Sequence, residues 1–143
     1  MKKSVLLGTL AVAGIAANGA LADGPGDTTL GQVQERGTLN CGVSTGLTGF
    51  AAPNAEGEWE GFDVAVCRAV AAAVLGDPSA VEFVPTTGQT RFTALASGEI
   101  DMLARNTTWT FSRDVDLAFE FVGVNYYDGQ GFMVPTELGV SSA

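Results

Sequence analysis

The residues best equipped for chemistry lie in one run from Asp101 to Asp114, Asp-Met-Leu-Ala-Arg-Asn-Thr-Thr-Trp-Thr-Phe-Ser-Arg-Asp. It reads as a short buried strand that breaks into a polar loop and enters a helical turn carrying Arg113. Arg113 follows Thr110 by three residues and stands next to Ser112, and either hydroxyl could cap a helix start. A guanidinium beside free backbone N–H groups and hydroxyls suits a carboxylate, to which arginine donates two parallel hydrogen bonds. Asn106, Thr107 and Thr108 add neutral donors and acceptors. The same spacing equally fits an arginine paired with Asp114 or Asp116 on a wet surface, so local spacing leaves both roles open.

Other side chains carry less. Trp109, Phe50, Trp59, Tyr126 and Tyr127 could wall a pocket, but aromatic residues supply much of any core. Phe50 is the exception, because it follows the first strand in a glycine-rich loop. Asp63, Asp101 and Asp128 show no spacing that pairs an acid with a base, and no nucleophile stands at a set distance from one. The chain has no histidine, and its two lysines, Lys2 and Lys3, fall in the first segment. Imidazole or Schiff-base catalysis is thereby excluded from residues 23–143.

That first segment has a basic start, an apolar run from Val5 to Ala17 and Ala20-Leu21-Ala22 at its end, the pattern of a secretory signal peptide cleaved before Asp23. The apolar run is too short and too interrupted for a membrane span, and no later run is longer, so no membrane insertion of residues 23–143 is expected. Those residues hold five arginines against sixteen acidic residues, a formal charge of −11. A nucleic-acid partner is excluded by that field. Cys41 and Cys67, an even count in an exported chain, favour a disulfide over two buried thiols. Two sulfurs without histidine are a poor zinc site, and no metal or cofactor is expected.

The elements that must position these residues follow in order. A flexible leader, 23–29, precedes a short helix capped by Thr29, Leu30 to Arg36, with Leu30 and Val33 inward. Leu39–Val43 alternates as a strand, followed by the loop Ser44–Phe50 and a turn at 53–57. A helix from Asp63 to Leu75 places Val64, Cys67, Val70, Ala71 and Val74 on one side and stops at Gly76. Val81–Pro85 is a second strand. Gln89–Ser97 is a helix that exposes Arg91 and buries Phe92 and Leu95. Ile100–Ala104 is the third strand, and 119–124 and 131–134 read as further strands. This alternation predicts an α/β fold, a mostly parallel sheet flanked by helices, with ligands at the carboxyl ends of its strands.

The phrases Cys41-Gly42-Val43-Ser44-Thr45-Gly46, Gly61-Phe62-Asp63-Val64, Arg91-Phe92-Thr93-Ala94-Leu95, Ser97-Gly98-Glu99-Ile100-Asp101, Arg105-Asn106-Thr107-Thr108-Trp109-Thr110 and 125–134 closely resemble the periplasmic binding proteins of general L-amino-acid ABC transporters. The resemblance covers nearly all of residues 29–143 and implies a periplasmic binding protein type 2 fold. Such proteins have two lobes that close over an L-amino acid and deliver it to a membrane permease. It further implies that Arg113 holds the α-carboxylate, that Arg105, Asn106 and Thr108 add contacts, and that the loop from Ser44 to Phe50 lines the ligand. Relatives often place an aromatic where this chain has Leu47. Members of the family are also longer, so residues 30–134 are expected to be the first lobe only, with 135–143 starting the crossing to a second lobe that normally supplies an acidic group for the α-amine. A chain with the carboxylate half alone is expected to bind weakly or not at all. Periplasmic enzymes of the same fold, dehydratases of cyclic amino-acid precursors, and ligand-sensing domains are the alternatives to a non-enzymatic binding role.

Overall fold

The computed structural model describes residue 26 and residues 28–140. The segment at 1–22 expected to be a signal peptide, most of the expected leader and the last three residues lie outside the described residues. The chain divides into two compact units, one ending at Ala104 and one beginning at Arg105.

The first unit is α/β. Helix α1 (Thr29–Arg36) starts one residue before the expected point, because Thr28 rather than Thr29 is the cap: its hydroxyl accepts the Gly31 amide at 3.0 Å. Gly37 ends α1 in the left-handed conformation, which glycine adopts without strain. Val33 is buried and packs with Leu39 and Ala71, but Leu30 remains 53% exposed. The first turn of α1 extends beyond that cluster, so the expected two-residue inner face shrinks to one residue.

Strand β1 (Leu39–Ser44) is the middle of a three-stranded parallel sheet. It pairs from Leu39↔Val81 to Ser44↔Thr86 with β4 (Val81–Thr86), and through Cys41↔Met102 and Gly42↔Leu103 with β5 (Met102–Leu103). A strand flanked on both sides has buried backbone along its length, which explains its nearly unbroken burial. Gly42 leaves room for its neighbours here: a Cβ would lie 2.4 Å from Ile100 Cδ1, so that side chain would have to shift. Only two residues of the third strand expected at 100–104 enter the ladder.

Helix α2 (Phe62–Leu75) buries Asp63, Val64, Cys67 and Ala71 and half-buries Val70 and Val74, close to the expected side. Cys67 is bonded to Cys41, with Cα atoms 6.1 Å apart. The staple joins α2 to β1 inside the cluster of Cys41, Val43, Ala51, Val64, Cys67 and Ala104. Helix α3 (Arg91–Ala96) is shorter than expected, and its face is rotated: Arg91 and Ala94 are buried, while Phe92 and Leu95 are only half-buried. Arginine can take this position because its stem is apolar, and its guanidinium carbon sits 4.8 Å from the Phe92 ring centre. The helix is entered through a reciprocal cap, Thr87 Oγ1 accepting from the Thr90 amide at 3.1 Å and Thr90 Oγ1 from the Thr87 amide at 3.0 Å.

Two features depart further from expectation. A short antiparallel pair, β2 (Ala52–Pro53) and β3 (Trp59–Glu60), brackets the turn at 54–58. It was illegible because two-residue strands carry no period. In the second unit the segments 119–124 and 131–134 form no strand. An apolar run becomes a strand only against another backbone edge, and the described residues supply none for these segments. Besides a five-residue turn of π-helix at Ser112–Asp116 and a short 3-10 turn at Thr136–Leu138, residues 105–140 have no regular structure, and none is buried.

Candidate functional site

In the first unit the candidate residues stand at the carboxyl end of β1. Ser44, the last residue of the strand, is buried. Its register partner Thr86 is satisfied locally, donating from Oγ1 to the Val43 carbonyl at 3.1 Å. The chain then turns through 45–50, where Leu47 accepts from the Phe50 amide at 3.0 Å and the Ala51 amide at 2.9 Å. Phe50 is half-buried and meets Phe62 edge to face at 6.4 Å between ring centres.

This loop also caps α2. The Gly49 carbonyl accepts from the Phe62 amide at 2.9 Å, and the Phe50 carbonyl accepts from Asp63 at 2.9 Å and Val64 at 3.4 Å. The first amides of a helix have no partner inside it, and here backbone carbonyls fill that need instead of a side chain or an anion. Gly61, which precedes the helix, has φ 119°, and a Cβ there would lie 2.4 Å from the Phe50 oxygen. Sequence reasoning missed Gly61 as part of the site's support; its only signal was a glycine directly before a strong helix.

The second unit holds the other candidates. Arg105 folds onto its neighbour, with Nε and Nη2 donating to Asn106 Oδ1 at 3.2 and 2.9 Å. Arg113 is half-buried, and its Nη1 donates to the Thr108 carbonyl at 2.7 Å. Thr110, not Ser112, caps the turn: the Arg113 amide donates to its carbonyl at 3.1 Å and its hydroxyl at 3.4 Å, and the Asp114 amide donates to its carbonyl at 3.0 Å. The structure therefore joins Arg113 with Thr108 and Arg105 with Asn106, while Ser44 and Phe50 belong to the other unit. The 108–113 turn holds the Arg113 guanidinium against the Thr108 carbonyl, and a guanidinium can present a fork of donors to a carboxylate.

The remaining candidates have other surroundings. Asp101 accepts from the Asn40 amide at 2.7 Å and forms an ion pair with Arg36, so it ties the end of α1 to the start of β5. Trp59 leans on Phe83 at 6.1 Å, and its carbonyl accepts from Arg68. Trp109 stacks on Phe121 at 5.3 Å. Asp128 accepts the Gly129 amide, and Tyr126 and Tyr127 are exposed. Asp63 is buried in the first turn of α2, where the helix dipole favours a carboxylate. Among the described residues no cluster of three or more His, Cys, Asp or Glu could hold a metal.

Residues 39–140 match the model of the bacterial extracellular solute-binding proteins, family 3. The chain belongs to that family. Across its whole length this family 3 chain is 64% identical to the glutamate/glutamine/aspartate/asparagine-binding protein BztA of Rhodobacter capsulatus, and 54% identical to the general L-amino acid-binding periplasmic protein AapJ of Rhizobium johnstonii. It spans 41% of the length of each of these relatives. Among solved structures it is similar to a periplasmic binding protein from Brucella ovis with glutathione bound, at 62% identity and TM-score 0.70, over 72% of this chain and 32% of that one. It is also similar to the arginine-bound form of domain 1 from TmArgBP, at 26% identity and TM-score 0.52, over 58% of this chain and 64% of that one. The family 3 fold is thus the periplasmic binding protein type 2 fold expected from the sequence, and the bonded cysteines agree with the preferred pairing.

Proposed function

We propose that residues 30–134 are the first lobe of the ligand-binding component of an amino-acid ABC importer, exported by the segment at 1–22 and working in the periplasm with a membrane permease. The observation that carries this reading is the 108–113 turn, where Arg113 is held by Thr108 inside a chain 64% identical throughout to a protein named for binding glutamate, glutamine, aspartate and asparagine. In this reading Arg113 grips the α-carboxylate. Arg105, Asn106 and Thr108 supply further hydrogen bonds, and within the first unit Ser44 and Phe50 are the proposed ligand contacts. The protein binds and delivers without chemical turnover, consistent with the lack of lysine and histidine after residue 22. Glutathione belongs in the ligand panel because its γ-glutamyl end carries the same free α-carboxylate and α-ammonium as glutamate, and the similar Brucella ovis protein holds it. The arginine-bound domain 1 of TmArgBP supports capture by a first lobe, against the weak-binding expectation drawn from the sequence.

Isothermal calorimetry of residues 23–143 against L-glutamate, L-glutamine, L-asparagine and glutathione tests the reading. Saturable binding to the unmodified chain that Arg113→Ala weakens at least tenfold is the expected result; removal of a charge-assisted fork costs ~1.5–3 kcal/mol. Equal affinity of the two chains would assign Arg113 to the surface. No binding of any of these ligands, under conditions where the chain is folded, would overturn the proposed role for this lobe.

A further inference from the structure

Phe62 is 42% exposed although it opens a helix whose inner face is buried. Its ring meets that of Phe50 edge to face. The backbone beneath makes the same connection. The first three amides of α2, from Phe62, Asp63 and Val64, donate to the carbonyls of Gly49 and Phe50. Gly61 permits the approach twice over, through φ 119° and through the absence of a Cβ that would meet the Phe50 oxygen at 2.4 Å. The loop cannot slide without leaving helix donors unpaired, and the helix is anchored to β1 by the disulfide at Cys67. The end of the loop, Gly49 and Phe50, is thereby locked to a rigid element.

We propose that Gly61 and Phe62 are positioning residues that fix Phe50 and its loop for ligand capture, Gly61 by admitting the loop carbonyls to the helix end and Phe62 by bracing the Phe50 ring. This rests on the functional reading above, which places Phe50 in the ligand site. Neither residue touches the ligand in this scheme; both act through Phe50. The stiffness of the loop, not its chemistry, is what they supply.

The test uses residues 23–143 with Phe62→Leu, Phe62→Tyr and Gly61→Ala, read by amide hydrogen exchange and by calorimetry with the ligand that binds the unmodified chain best. Phe62→Leu is expected to speed exchange at the Phe50 and Ala51 amides while the β1 amides stay protected, and to weaken binding roughly two- to tenfold, the size of an aromatic pair. Phe62→Tyr keeps the ring and should restore both. Gly61→Ala should show the larger effect on exchange; if it does not fold, the Phe62 pair still decides. Unchanged exchange in Phe62→Leu would overturn the positioning role, since exchange is read without ligand. Faster exchange with unchanged affinity would overturn the link to capture while leaving the functional reading intact. Failure of the unmodified chain to bind any ligand would sink the functional reading, and this proposal with it.

Discussion

At the scale of single residues, the acidic side chains divide by what they hold. Asp101 is the most committed, since one carboxylate oxygen serves both the Asn40 amide and Arg36, and its side chain is 7% exposed against 38% for its partner. Asp101→Ala is expected to lower stability by ~1–3 kcal/mol, because it strands a backbone donor as well as breaking the pair. Asp101→Asn, which keeps an acceptor oxygen, should cost less; urea denaturation of the three chains checks the order. Asp77 is held differently. Its carboxylate accepts from the hydroxyl and the amide of Ser79, and these bonds lower its pKa beneath the ordinary 3.8. A lowered folded-state pKa means that the stabilisation is complete above 3.8 and disappears as pH falls through the folded value. Asp77→Ala should therefore melt below the unmodified chain at pH 5–8, and the gap should close in acid below 3.8; a gap independent of pH would show that the loss is not electrostatic.

At the scale of elements, the staple between β1 and α2 makes the sharpest prediction. Cys41→Ala with Cys67→Ala removes a link between residues 26 positions apart and should destabilise the chain by about 3 kcal/mol, from loop-closure entropy, read as a fall in the denaturation midpoint. The elements also show what a sequence discloses. Strands β1 and β4 and helix α2 were legible because each has a period or a buried run long enough to stand out, and the Cys41–Cys67 bond was expected from an even cysteine count, with the inward position of Cys67 suiting it. Four matters were not legible. The face of α3 turned on whether an arginine stem could pack inward, which hydrophobicity does not express. The exposure of Leu30 depended on where its neighbours end. The β2–β3 pair is too short to have a pattern. The segments 119–124 and 131–134 have strand composition without a strand partner. Of the site, the residue types at 105–113 were visible, but the seat of Arg113 on the Thr108 carbonyl and the Gly61 contact to Phe50 depend on three-dimensional closeness that spacing cannot convey.

At the scale of the whole molecule, the two units differ in how they treat apolar surface. Among the described residues every buried one falls between Val33 and Ala104, whereas Phe111, Val122, Tyr127, Phe132 and Met133 are each at least 75% exposed. Exposed apolar surface of this extent binds hydrophobic dyes and partners. Residues 23–143 are expected to enhance anilinonaphthalene sulfonate fluorescence under native conditions, and Val122→Lys with Phe132→Lys should reduce it without changing the melting temperature. Unchanged dye binding would move the sticky surface elsewhere. The Cys41–Cys67 bond has a chemical consequence as well as a spatial one. It forms only where thiols are oxidised, and the ring it closes contains Ser44, Phe50, Gly61 and Phe62. In a reducing compartment the chain lacks this covalent brace. The same two sulfur atoms thus make the bracing of this ring a function of redox potential, complete where thiols are oxidised and absent where they are reduced.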